Sequence, residues 1–189
     1  MRIIAGAFKG RKLCRPKGSR TRPTTDRVRE AIFAIIGDRV EDSTVLDLYS
    51  GTGAMGLEAL SRGARHAVFV ERDVAALQCI KVNIERCGCP ERTRIVSSPV
   101  LLFLARARMW KGFELVFADP PYEGELGTLT LMAISKNAKP SKRCLIIMEH
   151  APDNPPGHVP GKFHQVDSRK YGNTGVTFFE FQNDTGRSA

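Results

Sequence analysis

The sequence predicts a Rossmann-like α/β fold: a doubly wound, mostly parallel sheet with an antiparallel hairpin at its C-terminal end. Three observations carry this reading. From residue 44 onward, short apolar runs alternate with stretches of helical periodicity. The first apolar run empties into a glycine-rich turn that opens a helix. After His150 the alternation stops, and two strand-like runs follow with no helix between them. Strands joined that way must pair antiparallel.

The elements follow in order. Ile3 to Ala5 and Arg11 to Cys14 read as two short strands joined around Gly6 and Gly10, and Pro16, Gly18 and Pro23 interrupt anything longer. A helix begins near Thr25, a good N-cap, carries Val28, Ala31, Ile32 and Ile35 at helical spacing, and stops at Gly37. Thr44–Leu48, Ala67–Glu71, Arg94–Val96, Glu114–Ala118 and Cys144–Glu149 are the five apolar strands. Their near-continuous apolar character predicts burial on both faces. Between them, Ala54–Ser61, Val74–Arg86, Val100–Arg108 and Leu126–Ser135 read as helices. Phe163–Arg169 and Val176–Phe181 form the terminal hairpin, joined through Lys170 to Gly175, and Asn183–Ala189 reads as a disordered tail. The expected organisation is a basic N-terminal extension over 1–23, a main domain over 24–182 and a tail over 183–189.

Charge singles out the front of the chain. Of a net charge of +9, residues 1–30 carry +8, and the remainder is nearly neutral. A neutral body with a cationic leading segment points to a polyanion partner. Lys9, Arg11, Lys12, Arg20, Arg22 and Arg27 are the candidate nucleic-acid contacts. No apolar run approaches the ~20 residues of a membrane helix, and the N-terminus has no secretory pattern, so a cytoplasmic protein is expected. The five cysteines are odd in number and lack framework spacing, which reads as free thiols; no metal site is expected.

Two motifs carry chemistry. The first is Asp47-Leu48-Tyr49-Ser50-Gly51-Thr52-Gly53-Ala54-Met55-Gly56, a strand-to-helix turn with glycines that let backbone approach a ligand. Glu71 ends the second strand 18 residues past Gly53, where a carboxylate can accept ribose hydroxyls. A nicotinamide dinucleotide and S-adenosylmethionine both fit this pattern. Asp47 favours the second, because a carboxylate beside a pyrophosphate repels it but suits a cationic amino-acid end.

The second motif is Asp119-Pro120-Pro121-Tyr122 at the end of the fourth strand. Two prolines fix φ and remove two donors, leaving a stiff turn rich in acceptors. Guanine N2 and adenine N6 are poor nucleophiles because the ring withdraws their lone pair. Acceptors on Asp119 and Pro120, aimed at the two N–H bonds, free that lone pair and stabilise the charge that develops as a methyl group arrives. Tyr122 offers a face for stacking the base, which must leave its helix to reach the pocket.

With both motifs in hand, the chain resembles the bacterial RsmD family of class I methyltransferases. The resemblance lies in Met1-Arg2-Ile3-Ile4-Ala5-Gly6, Lys9-Gly10-Arg11, Thr21 to Glu30, Asp47 to Gly53, Gly56 to Ala64 and Asp119 to Tyr122. It extends to Phe181 and implies a seven-stranded sheet and transfer of a methyl group to N2 of guanine 966 (RNA numbering) of 16S ribosomal RNA. It also implies that the basic extension holds the substrate, within the small ribosomal subunit or its assembly intermediate. Asp47, Tyr49, Gly51 and Gly53 would contact the donor's amino-acid part, with Glu71 and Arg72 beside ribose and adenine. Asp119, Pro120 and Tyr122 would hold the target amine, with Pro121 completing the box. Many related enzymes bind the adenine amine with an Asp after the third strand. Here that stretch is Val96-Ser97-Ser98-Pro99-Val100, so Ser98 or a backbone group takes that place. A monomer with no obligate protein partner and no membrane association is expected.

Other readings compete. A DNA or RNA adenine-N6 methyltransferase uses the same box, but the DNA enzymes usually carry a base-recognition region for which this chain has no room. A nicotinamide-dependent oxidoreductase accounts for the glycine loop but not for Asp47 or the box. A non-catalytic RNA-binding protein does not account for an intact Asp119.

Overall fold

The computed structural model describes residues 1–16, 25–106, 112–121, 125–137, 141, 143–157 and 163–181. Strands β1 (Thr44–Leu48), β2 (His66–Glu71), β3 (Thr93–Ser97), β4 (Leu115–Ala118), β5 (Leu145–His150), β6 (Phe163–Tyr171) and β7 (Thr174–Phe181) form one sheet in the order β3-β2-β1-β4-β5-β7-β6. The first five are parallel, and β7 runs antiparallel between β5 and β6. The chain leaves β1 toward β2 and β3, then returns to place β4 on the other side of β1. That reversal opens a crevice at the carboxyl ends of β1 and β4, where such sheets bind ligands.

Helices α1 (Asp26–Ile36), α2 (Ala54–Ser61), α3 (Val74–Cys87), α4 (Val100–Ala105) and α5 (Leu126–Asn137) flank the sheet. Two apolar clusters result. One joins Ile32, Leu57, Ile80, Phe69, Phe117 and Ile147, and the other joins Phe103, Leu131, Leu46, Leu48, Val116 and Ile146. Successive strand residues face opposite sides, so Val45 and Asp47 point toward the first face, and Leu46 and Leu48 toward the second.

Thr25 caps α1 by accepting from the Val28 N–H at 3.3 Å, and Gly37 ends it. The C-terminal hairpin differs from its sequence-based expectation. Its strands extend to Tyr171 and Thr174, leaving Gly172-Asn173 as a two-residue turn with Gly172 at φ +60°. The sequence pattern shortens them because β6 is an edge strand whose mostly exposed residues blur the period-two alternation. Two N-terminal strands are also predicted; the structure has a single antiparallel bridge, Arg2 to Lys12.

Ile3, Phe8 and Leu13 belong to the first core cluster, so the start of the chain packs as part of the domain. Buried polar groups secure it. The Glu58 carboxylate on α2 accepts the backbone N–H groups of Ile4 (2.8 Å) and Ala5 (3.0 Å) and the Arg62 Nε–H at 2.9 Å. Arg29 on α1 places Nε 3.5 Å from Glu58, and both side chains are wholly buried. Arg29 also donates from Nη2 to the Arg2 carbonyl and to Asp26. The Ser61 hydroxyl accepts from the Phe8 N–H, and Ala7 N–H donates to the Ser61 carbonyl at 2.8 Å. A Cβ on Gly6 would stand 1.8 Å from that carbonyl oxygen, so only glycine permits this approach.

The chain then runs antiparallel along α3. Arg11 donates to the Arg86 carbonyl, Arg86 reaches the Lys12 carbonyl at 3.4 Å, and Asn83 binds both backbone groups of Cys14. Asn83 Nδ2 also donates to the Thr52 carbonyl at 2.9 Å, tying this segment to the glycine loop.

Glu58→Leu strands a buried guanidinium and two backbone donors. It is expected to lower unfolding free energy by about 3–5 kcal/mol in a urea titration. It should also expose residues 1–16 to proteolysis before the sheet unfolds; an unchanged urea midpoint would show that the pair is dispensable.

Candidate active site

Strand register assembles the site. Leu48 pairs with Val70 on one side and with Ala118 on the other, so Tyr49, Glu71 and Asp119 leave their strands in one row. With strands ~4.8 Å apart, this row spans the crevice that the strand order opens.

Asp47 lies one step inside the row and is 3% exposed. Its Oδ2 accepts the Gly56 N–H at 3.0 Å. Gly53, at φ +75°, occupies the N-cap position of α2 and has no side chain to cap it. Asp47 therefore caps the third residue of that helix from the preceding strand. A Cβ on Gly56 would sit 3.2 Å from Asp47 Oδ2 and 2.5 Å from the Phe69 ring, so glycine keeps this bond open. Burial, with the neighbouring Asp119 and Glu71 charges adding to it, raises the Asp47 carboxyl to about 8, against the pull of the Gly56 hydrogen bond.

Glu71 braces the glycine loop. One oxygen accepts the Gly51 N–H at 2.9 Å, and the other accepts the Arg72 and Asp73 N–H groups at 2.7 and 2.9 Å. A carboxylate has about four lone-pair sites, so most of this one's capacity shapes backbone and a remainder faces outward. Tyr49 adopts φ +57°, a left-handed conformation uncommon for a bulky side chain. Its hydroxyl lies 2.8 Å from Thr130 Oγ1 on α5. Thr130 donates its own proton to the Leu126 carbonyl at 2.7 Å, so Tyr49 is the donor in this pair.

Asp119 follows β4 with Pro120 buried and Pro121 exposed. Burial raises its carboxyl to about 7. Beside the prolines lies a cavity of about 200 Å³, lined in part by Pro120, Pro121, Gly127, His150, Ala151 and Pro156. It is smaller than the ~300–1,000 Å³ typical of pockets for drug-sized ligands. His150 Nδ1 donates to the Ala151 carbonyl at 2.8 Å, leaving Nε2 beside the Thr177 hydroxyl at 2.9 Å. A Cβ on Gly175 would collide with that ring at 2.2 Å. A larger cavity of about 600 Å³, lined among others by Asp38, Arg39, Glu114 and Glu180, contains none of the motif residues.

The structure thus gathers Asp47, Tyr49, Gly51, Gly53, Glu71, Pro120, Pro121 and Asp119 about one crevice. Arg72 is exposed at its edge. The Ser98 N–H donates to the Glu71 carbonyl at 3.0 Å and its hydroxyl to the Pro99 carbonyl, so local backbone occupies both groups. Lys9, Arg11, Lys12 and Arg27 are exposed. Arg11 also covers the Phe8 ring at 5.4 Å and so has a packing task. Tyr122, Arg20 and Arg22 lie outside the described residues. The sequence pattern does not reveal Thr130, Asn83 or the Glu58–Arg29 pair. A signal for Glu58 is nevertheless present: a lone carboxylate in a helix whose other residues are all apolar or small.

Fold and site together define a class I methyltransferase, the class that takes its methyl group from S-adenosylmethionine. The family model described as "Conserved hypothetical protein 95" matches residues 1–180, and the chain belongs to that family. Ribosomal RNA small subunit methyltransferase D of Escherichia coli K12 is 37% identical over 165 residues, covering 86% of this chain and 81% of that protein. Its namesake in Haemophilus influenzae is 33% identical over 156 residues, covering 82% and 81%. The solved structure of the Escherichia coli yhhF protein superposes with a TM-score of 0.86 at 34% identity, covering 96% of this chain and 98% of that one. No helix among the described residues is long and apolar enough to cross a membrane.

The raised Asp47 carboxyl gives a pH test. A folded-state value of about 8, above the ordinary 3.8, means the fold favours the protonated acid. That contribution is complete below about pH 4 and lost as pH rises through about 8. The amide of an Asp47→Asn variant mimics the neutral acid. The variant's melting temperature relative to wild type should rise between pH 5 and pH 8.5; an offset equal at both pH values would contradict the assignment.

Proposed function

We propose that this protein methylates N2 of a guanine in 16S ribosomal RNA, the guanine 966 implied by the family resemblance, with S-adenosylmethionine as donor. The observation that carries the proposal is the row of Tyr49, Glu71 and Asp119 at the mouth of the crevice, with Asp47 behind it. Relatives named as ribosomal RNA small subunit methyltransferases, at 33–37% identity, support the ribosomal RNA part.

In this reading the glycine loop and Asp47 receive the donor's cationic amino-acid end, and Glu71 and Arg72 flank its ribose and adenine. The donor supplies an electrophilic methyl carbon on sulfur. Asp119 and the Pro120 carbonyl accept the two N–H bonds of the target amine, in the manner of an electrostatic hole built for the transition state. Asp119, its carboxyl raised to about 7, is matched to take up the proton the amine loses after transfer. The prolines hold these acceptors rigid, so alignment is built in rather than induced. Tyr122 stacks on the extruded base.

The N-terminal segment supports RNA as the partner. It climbs α3 from Arg86 toward Cys79, in the direction of the strand carboxyl ends, and Arg15, next in the chain, is exposed.

Asp119→Ala is expected to lower the rate of methyl transfer to small-subunit particles by about 10²–10³-fold, with donor affinity by calorimetry changed far less. Full activity in this variant would end the mechanism. Mapping modified nucleotides in cells lacking the protein should show one guanine without its N2 methyl group. Replacing Arg20, Arg22 and Arg27 by Ala should weaken binding to ribosomal RNA. It should also flatten the dependence of affinity on salt, by about 0.7–0.9 in log–log slope for each phosphate no longer neutralised. If donor affinity fell instead while RNA affinity held, the basic segment would be structural.

A further inference from the structure

The N-terminal segment meets α3 at a pair of sulfur atoms that the methyl-transfer reading leaves unused. Cys14 Sγ and Cys79 Sγ lie 3.0 Å apart, and both are free thiols. A disulfide bond is ~2.05 Å long, so an approach of about 1 Å would join them. The partners are held facing each other. Asn83, one helical turn after Cys79, accepts the Cys14 N–H at 2.6 Å and donates to the Cys14 carbonyl at 3.3 Å. Access is unequal: Cys14 is partly exposed, and Cys79 is 5% exposed. Cys87, Cys89 and Cys144 are all buried.

We propose that Cys14 and Cys79 form a peroxide-sensitive thiol pair that closes to a reversible disulfide and pins the N-terminal segment to α3. The chemistry divides by exposure. The Cys14 thiolate attacks one peroxide oxygen and becomes a sulfenic acid, while the other oxygen leaves as hydroxide and takes a proton to become water. The Cys79 sulfur then attacks the Cys14 sulfur. The S–O bond breaks, and the departing hydroxide collects the Cys79 proton as a second water. Two thiols are oxidised, one peroxide is reduced, and a dithiol reverses the process. Burial pushes the Cys79 thiol up to about 11, which suits a group that reacts only once its neighbour is activated.

The test uses the whole chain with hydrogen peroxide and does not depend on the RNA substrate. Intact mass should fall by two hydrogen atoms. Proteolysis under non-reducing conditions should yield one cross-linked peptide pair joining Cys14 to Cys79, and dithiothreitol should dissolve it. The oxidised protein should melt several degrees higher than the reduced one, since a link closing a long loop restrains the unfolded chain. Cys14→Ser and Cys79→Ser should each abolish both the cross-link and the shift in melting. The proposal fails if Cys14 proceeds to sulfinic acid while Cys79 stays a thiol. It fails equally if the cross-link appears only in denaturant.

Discussion

A single hydrogen bond from a strand to the helix that follows it organises this molecule. A glycine-rich turn gives backbone access but sacrifices definition, because Gly53 cannot cap the helix it begins. Asp47 restores that definition by reaching from β1 to the Gly56 N–H. An otherwise uncapped N–H of the helix's first turn and an oxygen of the buried acid satisfy each other, so the strand, turn and helix hold one geometry. The arrangement requires glycine at position 56, where any side chain would enter the space between Asp47 and Phe69. The loop is thus permissive in its own dihedrals and fixed by its surroundings.

The same helix is held on its far side by a second buried carboxylate. Glu58 gathers the start of the chain, and Arg29 compensates its charge. Buried ion pairs seldom add stability beyond what apolar residues would. This one carries geometric information instead: it decides where residues 1–8 lie, and through them which way the chain from Arg11 to Cys14 runs along α3. A surface tail of the same composition would leave that direction undefined.

Much of this is legible in the amino-acid sequence. Strand and helix order follow from periodicity because four of the five parallel strands, β1, β2, β4 and β5, lie inside the sheet and read as plain apolar runs. Asp47, Glu71 and Asp119 are identifiable because each lies at a strand end, and strand ends in this fold meet at one crevice. What escapes the pattern depends on pairings distant in sequence. Glu58 and Ile4, Asn83 and Cys14, and Tyr49 and Thr130 are each more than 50 residues apart. Insertion of β7 between β5 and β6 is likewise a matter of register, and the polar residues of edge strand β6 carry little pattern from which to infer it. Local propensity fixes elements; the contacts that orient them are written in residues that look ordinary on their own.

The hydroxyl relay from Tyr49 through Thr130 to the Leu126 carbonyl runs in one direction, since each oxygen passes its only proton onward. Tyr49 sits on the turn after β1, and Leu126 opens the helix that follows the proline turn after β4. Two loops that share no sequence neighbourhood are thereby yoked by a chain of polarised bonds. Each bond contributes only about 1 kcal/mol, yet the relay gives the turn after β1 and the start of α5 a shared anchor, so the two sides of the crevice are tied at a point that neither loop supplies alone.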